Sequence, residues 1–227
     1  MTTASIYERA LGAEFAKLHP RIRQRFGFSS GDGVASIGEG VMERIWYNKW
    51  AAAPLWLGTA RHIMFPKAGE GVPFTIANYA YEDAFGRETV TWSRRFRFPE
   101  GVRKFDATMI YSRQRRRIVD YLGTKQHLAV DLEMAASPHG GILIRSGEQR
   151  FYEGPLGFRF PERLTGRAEV HEWYDDEAGR FRITVDVVNP LLGPVFRYGG
   201  WFRAATVPMA GRRVPGEAKP TREEFRE

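Results

Sequence analysis

The chain has no cysteine, which excludes disulfides, thiolate nucleophiles and zinc–thiolate centres together. It also lacks any apolar run near the roughly 20 residues that span a bilayer. Its first eighteen residues carry Glu8, Arg9, Glu14 and Lys17 where a secretion signal would be apolar. A soluble, cytoplasmic protein without a membrane span is the expectation. The five histidines, His19, His62, His127, His139 and His171, show no HxH or HExxH spacing, so neither a metal site nor another cofactor is expected. No serine sits in a G-x-S-x-G elbow. Gly31-Asp32-Gly33 and Gly38-Glu39-Gly40 match neither a Walker loop nor GxGxxG, and no strand precedes them. They read instead as a turn and a bulge around a strand over residues 34–46. No long helix follows the last strand, which argues against a helix-grip fold.

What the chain does have is aromatic side chains, at 14% of 227 residues, and a surplus of 34 basic over 27 acidic groups. The net charge of +7 favours anionic contacts without specifying nucleic acid. Arg94, Arg95, Arg97, Arg103, Lys104 and Arg113–Arg117 interleave with Phe96 and Phe98, a pattern that could hold a single strand. The arginines fall at a hairpin tip, however, where charge protects an edge, so a nucleic-acid partner is not expected. One β-rich domain over residues 1–207 is expected, followed by a disordered tail over 208–227 rich in Pro, Gly and mixed charge.

Ser5-Ile6-Tyr7-Glu8 forms a capping box, and Tyr7, Leu11, Phe15 and Leu18 recur at helical spacing, predicting an amphipathic helix over 6–18. Residues 21–26 predict a second short helix closed by Gly27. Strands follow over 34–46, 61–64, 74–83, 87–98, 103–112, 117–122, 126–135, 141–150, 164–174, 180–189 and 196–207, most joined by short Gly, Pro, Asp or Asn turns. Residues 151–161 hold Gly154, Pro155, Gly157 and Pro161 among four phenylalanines and tyrosines, and read as a closing loop rather than a strand. The fold class is therefore mainly β: an antiparallel meander of nine to ten strands closing into a barrel or strongly bent sheet, with an N-terminal helix.

By strand alternation, Val90, Trp92, Arg94, Phe96 and Phe98 share one face, as do Phe105, Ala107, Met109 and Tyr111, with Asp106 opposing them. Arg94 on an aromatic face either snorkels to water or meets a carboxylate or ring. Leu128, Val130, Leu132 and Met134 share a face opposite His127, Ala129, Asp131 and Glu133.

The stretches Pro73–Tyr81, Gly86–Trp92, Phe105–Met109 and above all Gln149-Arg150-Phe151-Tyr152-Glu153-Gly154-Pro155-Leu156-Gly157-Phe158-Arg159-Phe160-Pro161 are familiar together. Over residues 5–207 the chain resembles a bacterial family catalogued as domain of unknown function 4166. Members stand alone or joined to nucleotide-binding oxidoreductase-like or membrane segments. The family carries no established catalytic residues, so the resemblance implies a structural unit and no mechanism.

Function is then read from the residues. An aromatic-lined cavity with a few polar groups is the composition of a small-molecule pocket. The expected partner is an apolar or amphipathic molecule, lipid-like or polyketide- or terpenoid-like, and a homodimer is left open. Tyr79, Tyr81, Trp92, Arg94, Tyr111, Arg145, Tyr152, Phe158 and Arg159 are the expected ligand contacts. The alternative is a cofactor-free isomerase, cyclase or hydratase in which Asp106, Asp131 or His127 carries the proton, since a buried carboxylate has the raised pKa that proton transfer needs. The competing role for these carboxylates is pairing with arginines such as Arg94, Arg103, Arg145 and Arg150.

Overall fold

A computed structural model describes residues 4–209 and 213–227. Ser5 caps the first helix by accepting the Glu8 backbone N–H at 3.1 Å. Gly12, at φ 53°, ends α1 (Ile6–Leu11), and the chain continues as a 3₁₀ turn over Gly12–Lys17 rather than as the single helix that the spacing predicts. A positive φ suits glycine and interrupts the helix at that point. Pro20 opens α2 (Pro20–Phe26).

Eleven strands follow: β1 (Val34–Tyr47), β2 (Gly69–Glu82), β3 (Glu88–Phe98), β4 (Gly101–Ser112), β5 (Arg117–Leu122), β6 (Leu128–Ala136), β7 (Ile142–Glu153), β8 (Leu156–Arg159), β9 (Arg167–Asp175), β10 (Arg180–Asn189) and β11 (Gly193–Pro208). Ten of them close a ring in the order β1-β2-β3-β4-β5-β6-β7-β9-β10-β11, antiparallel throughout, while β8 pairs outside the ring on β7. Closure removes the sheet edges that would otherwise template association. The mainly antiparallel β fold is the expected one, and of the two expected closures, barrel or strongly bent sheet, the chain adopts the barrel.

Three expectations are corrected. Residues 61–64 are turns, tied down by Asp106 N–H to His62 C=O at 2.8 Å and Thr124 N–H to Arg61 C=O at 3.0 Å. Residues 151–161 are not an irregular loop: Gly154, at φ 52°, lets β7 fold back into β8. Residues 213–227, expected to be a loose tail, return along the outside of the barrel. There Tyr121 Oη donates to Arg226 C=O at 2.9 Å, and the Glu224 N–H donates to Gln126 Oε1 at 2.6 Å. Ile110, Val119, Tyr121, Ala129 and Tyr152 form a buried outer layer, and the returning chain lies on its Tyr121 and Tyr152. Residues 210–212 of the expected tail lie outside the described residues.

Inside, alternation puts Phe74, Phe96, Phe181, Phe196 and Phe202 into one cluster with Phe65. At Gly40 and Gly200 a side chain would collide with the backbone of the neighbouring strand, so these glycines allow β1 and β11 to approach across their bulge. α1 and α2 plug one end: Tyr7 packs on Phe26, and the Trp92 indole N–H donates to Tyr7 Oη at 2.7 Å. Arg25 enters with α2, donates to Glu172 at 2.6 Å and to Ser36 Oγ at 2.8 Å, and lies 4.9 Å over the Phe202 ring. Burial raises the Glu172 carboxyl pKa, against the pull of Arg25.

Candidate functional site

Between the plug and the opposite end the barrel is not filled. A cavity of about 120 Å³ is walled by Trp92, Phe105, Met109, Leu122, Leu128, Val130, Leu132, Ile144, Val170, Val185 and Val187, with Met64 over it. Four polar side chains enter this lining: Arg94, Asp120, Ser146 and Gln149.

Arg94 does not snorkel; it is 4% exposed. Its Nε donates to Phe105 C=O at 3.0 Å and one terminal nitrogen to Tyr198 Oη at 3.2 Å. The guanidinium sits 3.7 Å from the Phe105 ring centroid, so its charge is held by a carbonyl, a phenol and an aromatic face. Burial raises the Tyr198 phenol pKa.

Asp120 stands on β5 between Ile118 and Leu122, whose side chains share its inward face. Its Oδ1 is buried with no hydrogen-bond partner. Burial pushes the carboxyl up to about 7, with Arg94 pulling the other way. A carboxyl in this state exchanges a proton near neutral pH.

Ser146 and Gln149 come from a break in the barrel wall. β7 pairs with β9 over Ile142–Arg145 and with β8 over Arg150–Glu153. Between these stretches, two side chains replace the ladder. Ser146 Oγ accepts the Ala168 N–H at 2.7 Å, and Gln149 Nε2 donates to Gly166 C=O at 2.6 Å. On the outer side of this seam lies a groove of about 680 Å³ that shares Ser146, Gln149 and Ala168 with the cavity and carries Arg145, Arg159, Arg167 and Arg197.

Of the residues expected at the site, Trp92 and Arg94 line the cavity, and Arg145 and Arg159 line the outer groove. The remainder lie elsewhere. Asp106 is on the outer face of β4, bonded to His62 Nδ1 at 2.8 Å and paired with Arg95. Burial opposes its ionisation, but His62 and Arg95 prevail and hold its pKa below the usual carboxylate range. Asp131 is likewise on the outer face, bonded to Arg150 at 2.6 Å and Arg115 at 2.9 Å, which outweigh burial and lower its pKa. His127 pairs with Glu153 at 2.7 Å, and partial burial among cations lowers its pKa. The placement of Asp106 and Asp131 follows from the strand period: each alternates with residues that face inward, so neither carboxyl reaches the cavity.

Tyr79 and Tyr81 lie on the outer face of β2; Lys219 of the returning chain sits 4.4 Å over the Tyr81 ring, and burial raises the Tyr81 phenol pKa to about 12. Tyr152 Oη donates to Glu227 C=O at 3.1 Å. Tyr111 lines a groove beside the same C-terminal residues, and Phe158 packs against Phe151 and edge-on to Phe160 of the β8 hairpin. Asp120 has a signal in the sequence, since Ile118-Val119-Asp120-Tyr121-Leu122 puts it on the apolar side. Ser146 and Gln149 have none, because the Gly147-Glu148 bulge breaks the period.

A barrel enclosing a hollow beside a buried aromatic cluster is compatible with small-molecule binding. Among the described residues no three His, Asp or Glu side chains gather as a metal site, and no helix is long and apolar enough to cross a membrane. An uncharacterized protein, YndH, of Bacillus subtilis (strain 168) is 33% identical over 202 residues, covering 88% of this chain and 97% of that one. The family described as Domain of unknown function (DUF4166) matches residues 18–202, and the chain belongs to that family.

Proposed function

We propose that the barrel binds a small apolar molecule carrying one hydrogen-bonding group, with the apolar body against Leu128, Val130, Leu132 and Val187 and the polar group toward Asp120 and Arg94. The observation that supports this most is the unpartnered Asp120 oxygen beside an otherwise apolar hollow. A buried polar atom without a partner costs about 1–3 kcal/mol, and a ligand hydroxyl would supply the bond. The volume of about 120 Å³ sets the size. An apolar cavity of roughly 150 Å³ holds benzene, so a ring or a short chain fits the closed barrel. A whole lipid, polyketide or terpenoid would need the β7–β9 seam to part, leaving its head in the outer groove.

The test is fluorine NMR of 4-fluorobenzyl alcohol with the protein. Saturable broadening that is lost in Ala168→Leu, which fills the cavity, is the expected result. Equal broadening with both proteins, or none with either, ends the proposal.

A second reading follows from one observation, the Asp120 carboxyl at about 7. In a cavity this apolar it could act as the proton carrier of a cofactor-free isomerase, cyclase or hydratase. Deuterium exchange at the α-carbon of 4-fluorophenylacetone tests it. Acceleration by the protein that disappears in Asp120→Asn supports it, and equal rates with the two proteins remove it.

A further inference from the structure

The end of the barrel opposite the plug carries large apolar side chains that no part of the described chain covers. Trp50 is 86% exposed and Trp56 69%, with Leu57, Leu164, Leu191 and Leu192 exposed beside them. These residues come from three separate connections between strands, and two amides join those connections into one surface. Asn48 Nδ2 donates to Leu192 C=O at 3.3 Å and Pro194 C=O at 3.1 Å, tying the Trp50 loop to the β10–β11 turn. Asn189 Nδ2 donates to Arg163 C=O at 3.0 Å and Thr165 C=O at 2.8 Å, tying that turn to the Leu164 loop. α3 (Ala52–Thr59) continues from the first loop with no charged residue, yet only Leu55 among its side chains is buried. A helix apolar all round normally lies inside a protein or in lipid.

The carboxylates at this end are paired, Glu100 with Lys67, Glu153 with His127 and Asp106 with His62, which leaves a basic excess around the apolar patch. Residues 48–64 carry Lys49 and Arg61 and no carboxylate, residues 190–194 carry no charge, and Arg163 stands next to Leu164. Among the described residues Lys49 and Arg163 have no ion-pair partner, whereas nearby Glu162 is taken by Arg167. The whole chain adds a net +7.

We infer that this end docks on the surface of a membrane containing anionic lipid. Tryptophans settle at the depth of the headgroups, leucines reach the acyl boundary, and basic side chains just behind them meet the phosphates. A patch of tryptophan and leucine flanked by the two unpaired cations Lys49 and Arg163 fits that layer better than a second copy of this chain, which would bring those cations together. The cavity lies toward the same end: its lining takes Leu122 at the close of β5, Leu128 at the start of β6 and Val187 near the close of β10. Docking therefore sets the hollow beside the bilayer, although the inference stands on the exposed surface and not on what fills the cavity.

Sedimentation with vesicles of phosphatidylcholine mixed with phosphatidylglycerol, against phosphatidylcholine alone, tests it. The protein is expected to sediment with the mixed vesicles, with its tryptophan emission shifted to the blue. Because Trp50 and Trp56 are exposed, the Trp50→Ser/Trp56→Ser protein should fold and lose about tenfold or more of the binding. Lys49→Glu/Arg163→Glu should abolish the preference for the anionic vesicles, and the cavity-filling Ala168→Leu should bind as the parent does. A parent protein that stays in the supernatant overturns the inference, as does a double serine variant that binds undiminished. Equilibrium sedimentation showing a dimer that the serine variant loses, without lipid binding by the parent, assigns the surface to a second copy instead and equally overturns it.

Discussion

Arg94 and Asp120 line the same cavity from β3 and β5, yet no salt bridge joins them. The guanidinium is satisfied by Phe105 C=O, Tyr198 Oη and an aromatic face, leaving the carboxyl with burial as the main influence on its pKa. Below about pH 4 the Asp120 carboxyl is protonated in folded and unfolded chains alike. From there to about 7 the unfolded chain gives up its proton and the folded one keeps it, so the Asp120 contribution falls as pH rises. At about 1.4 kcal/mol per pH unit the penalty reaches roughly 4 kcal/mol above neutrality. Urea denaturation across this range should show Asp120→Asn gaining on the parent protein by several kcal/mol from pH 4 to pH 8, and a constant offset would refute it.

Removing the cation should move the carboxyl further. Arg94 is the group that favours ionisation of Asp120. In Arg94→Met, the pH midpoint of that stability difference should therefore shift upward. NMR of the Asp120 carboxyl carbon reads the shift directly, and a downward movement would contradict the arrangement.

The plug predicts a contrast between one change and two. Arg25 and Glu172 are both fully enclosed and bonded at 2.6 Å. Glu172→Ala leaves the Arg25 charge buried without its partner and should cost about 3–5 kcal/mol by chemical denaturation. Arg25→Met combined with Glu172→Leu removes both charges and should recover most of that loss. A double variant as unstable as the single one would show that the pair is not what makes the change costly.

The returning chain can be cut. Ending the protein after Lys219 removes the partners of Tyr121, Gln126 and Tyr152 and uncovers the two tyrosines. With three hydrogen bonds at roughly 1 kcal/mol each, stability should fall by at least ~2 kcal/mol, and the shortened protein should bind a hydrophobic dye. An unchanged urea midpoint would place residues 220–227 outside the folded unit.

How far these features can be read from the sequence depends on which rule governs each residue. The strands from β1 to β7 were legible because turn glycines and prolines fall at regular intervals and the apolar residues alternate. The same alternation already set Asp106 opposite Phe105 and Ala107, so its outward position was written in the pattern. Asp120 was equally legible between Ile118 and Leu122. Ser146 and Gln149 were not, since a bulge carries no period, and neither was the role of residues 213–227. Their composition of Pro, Gly and charge resembles a disordered segment, but Glu224 and Arg226 find partners far away in sequence, Gln126 in the β5–β6 connection and Tyr121 on β5. The helix over 6–18 stopped early at one glycine whose conformation the spacing of Tyr7, Leu11 and Phe15 does not reveal.

The hollow itself is tested most directly by a crystal of the protein pressurised with xenon. The account predicts one ordered xenon site between Val130, Leu132 and Val187, close to Asp120, and its loss in Ala168→Leu. An interior with no xenon, or with its only site in the outer groove, would contradict it.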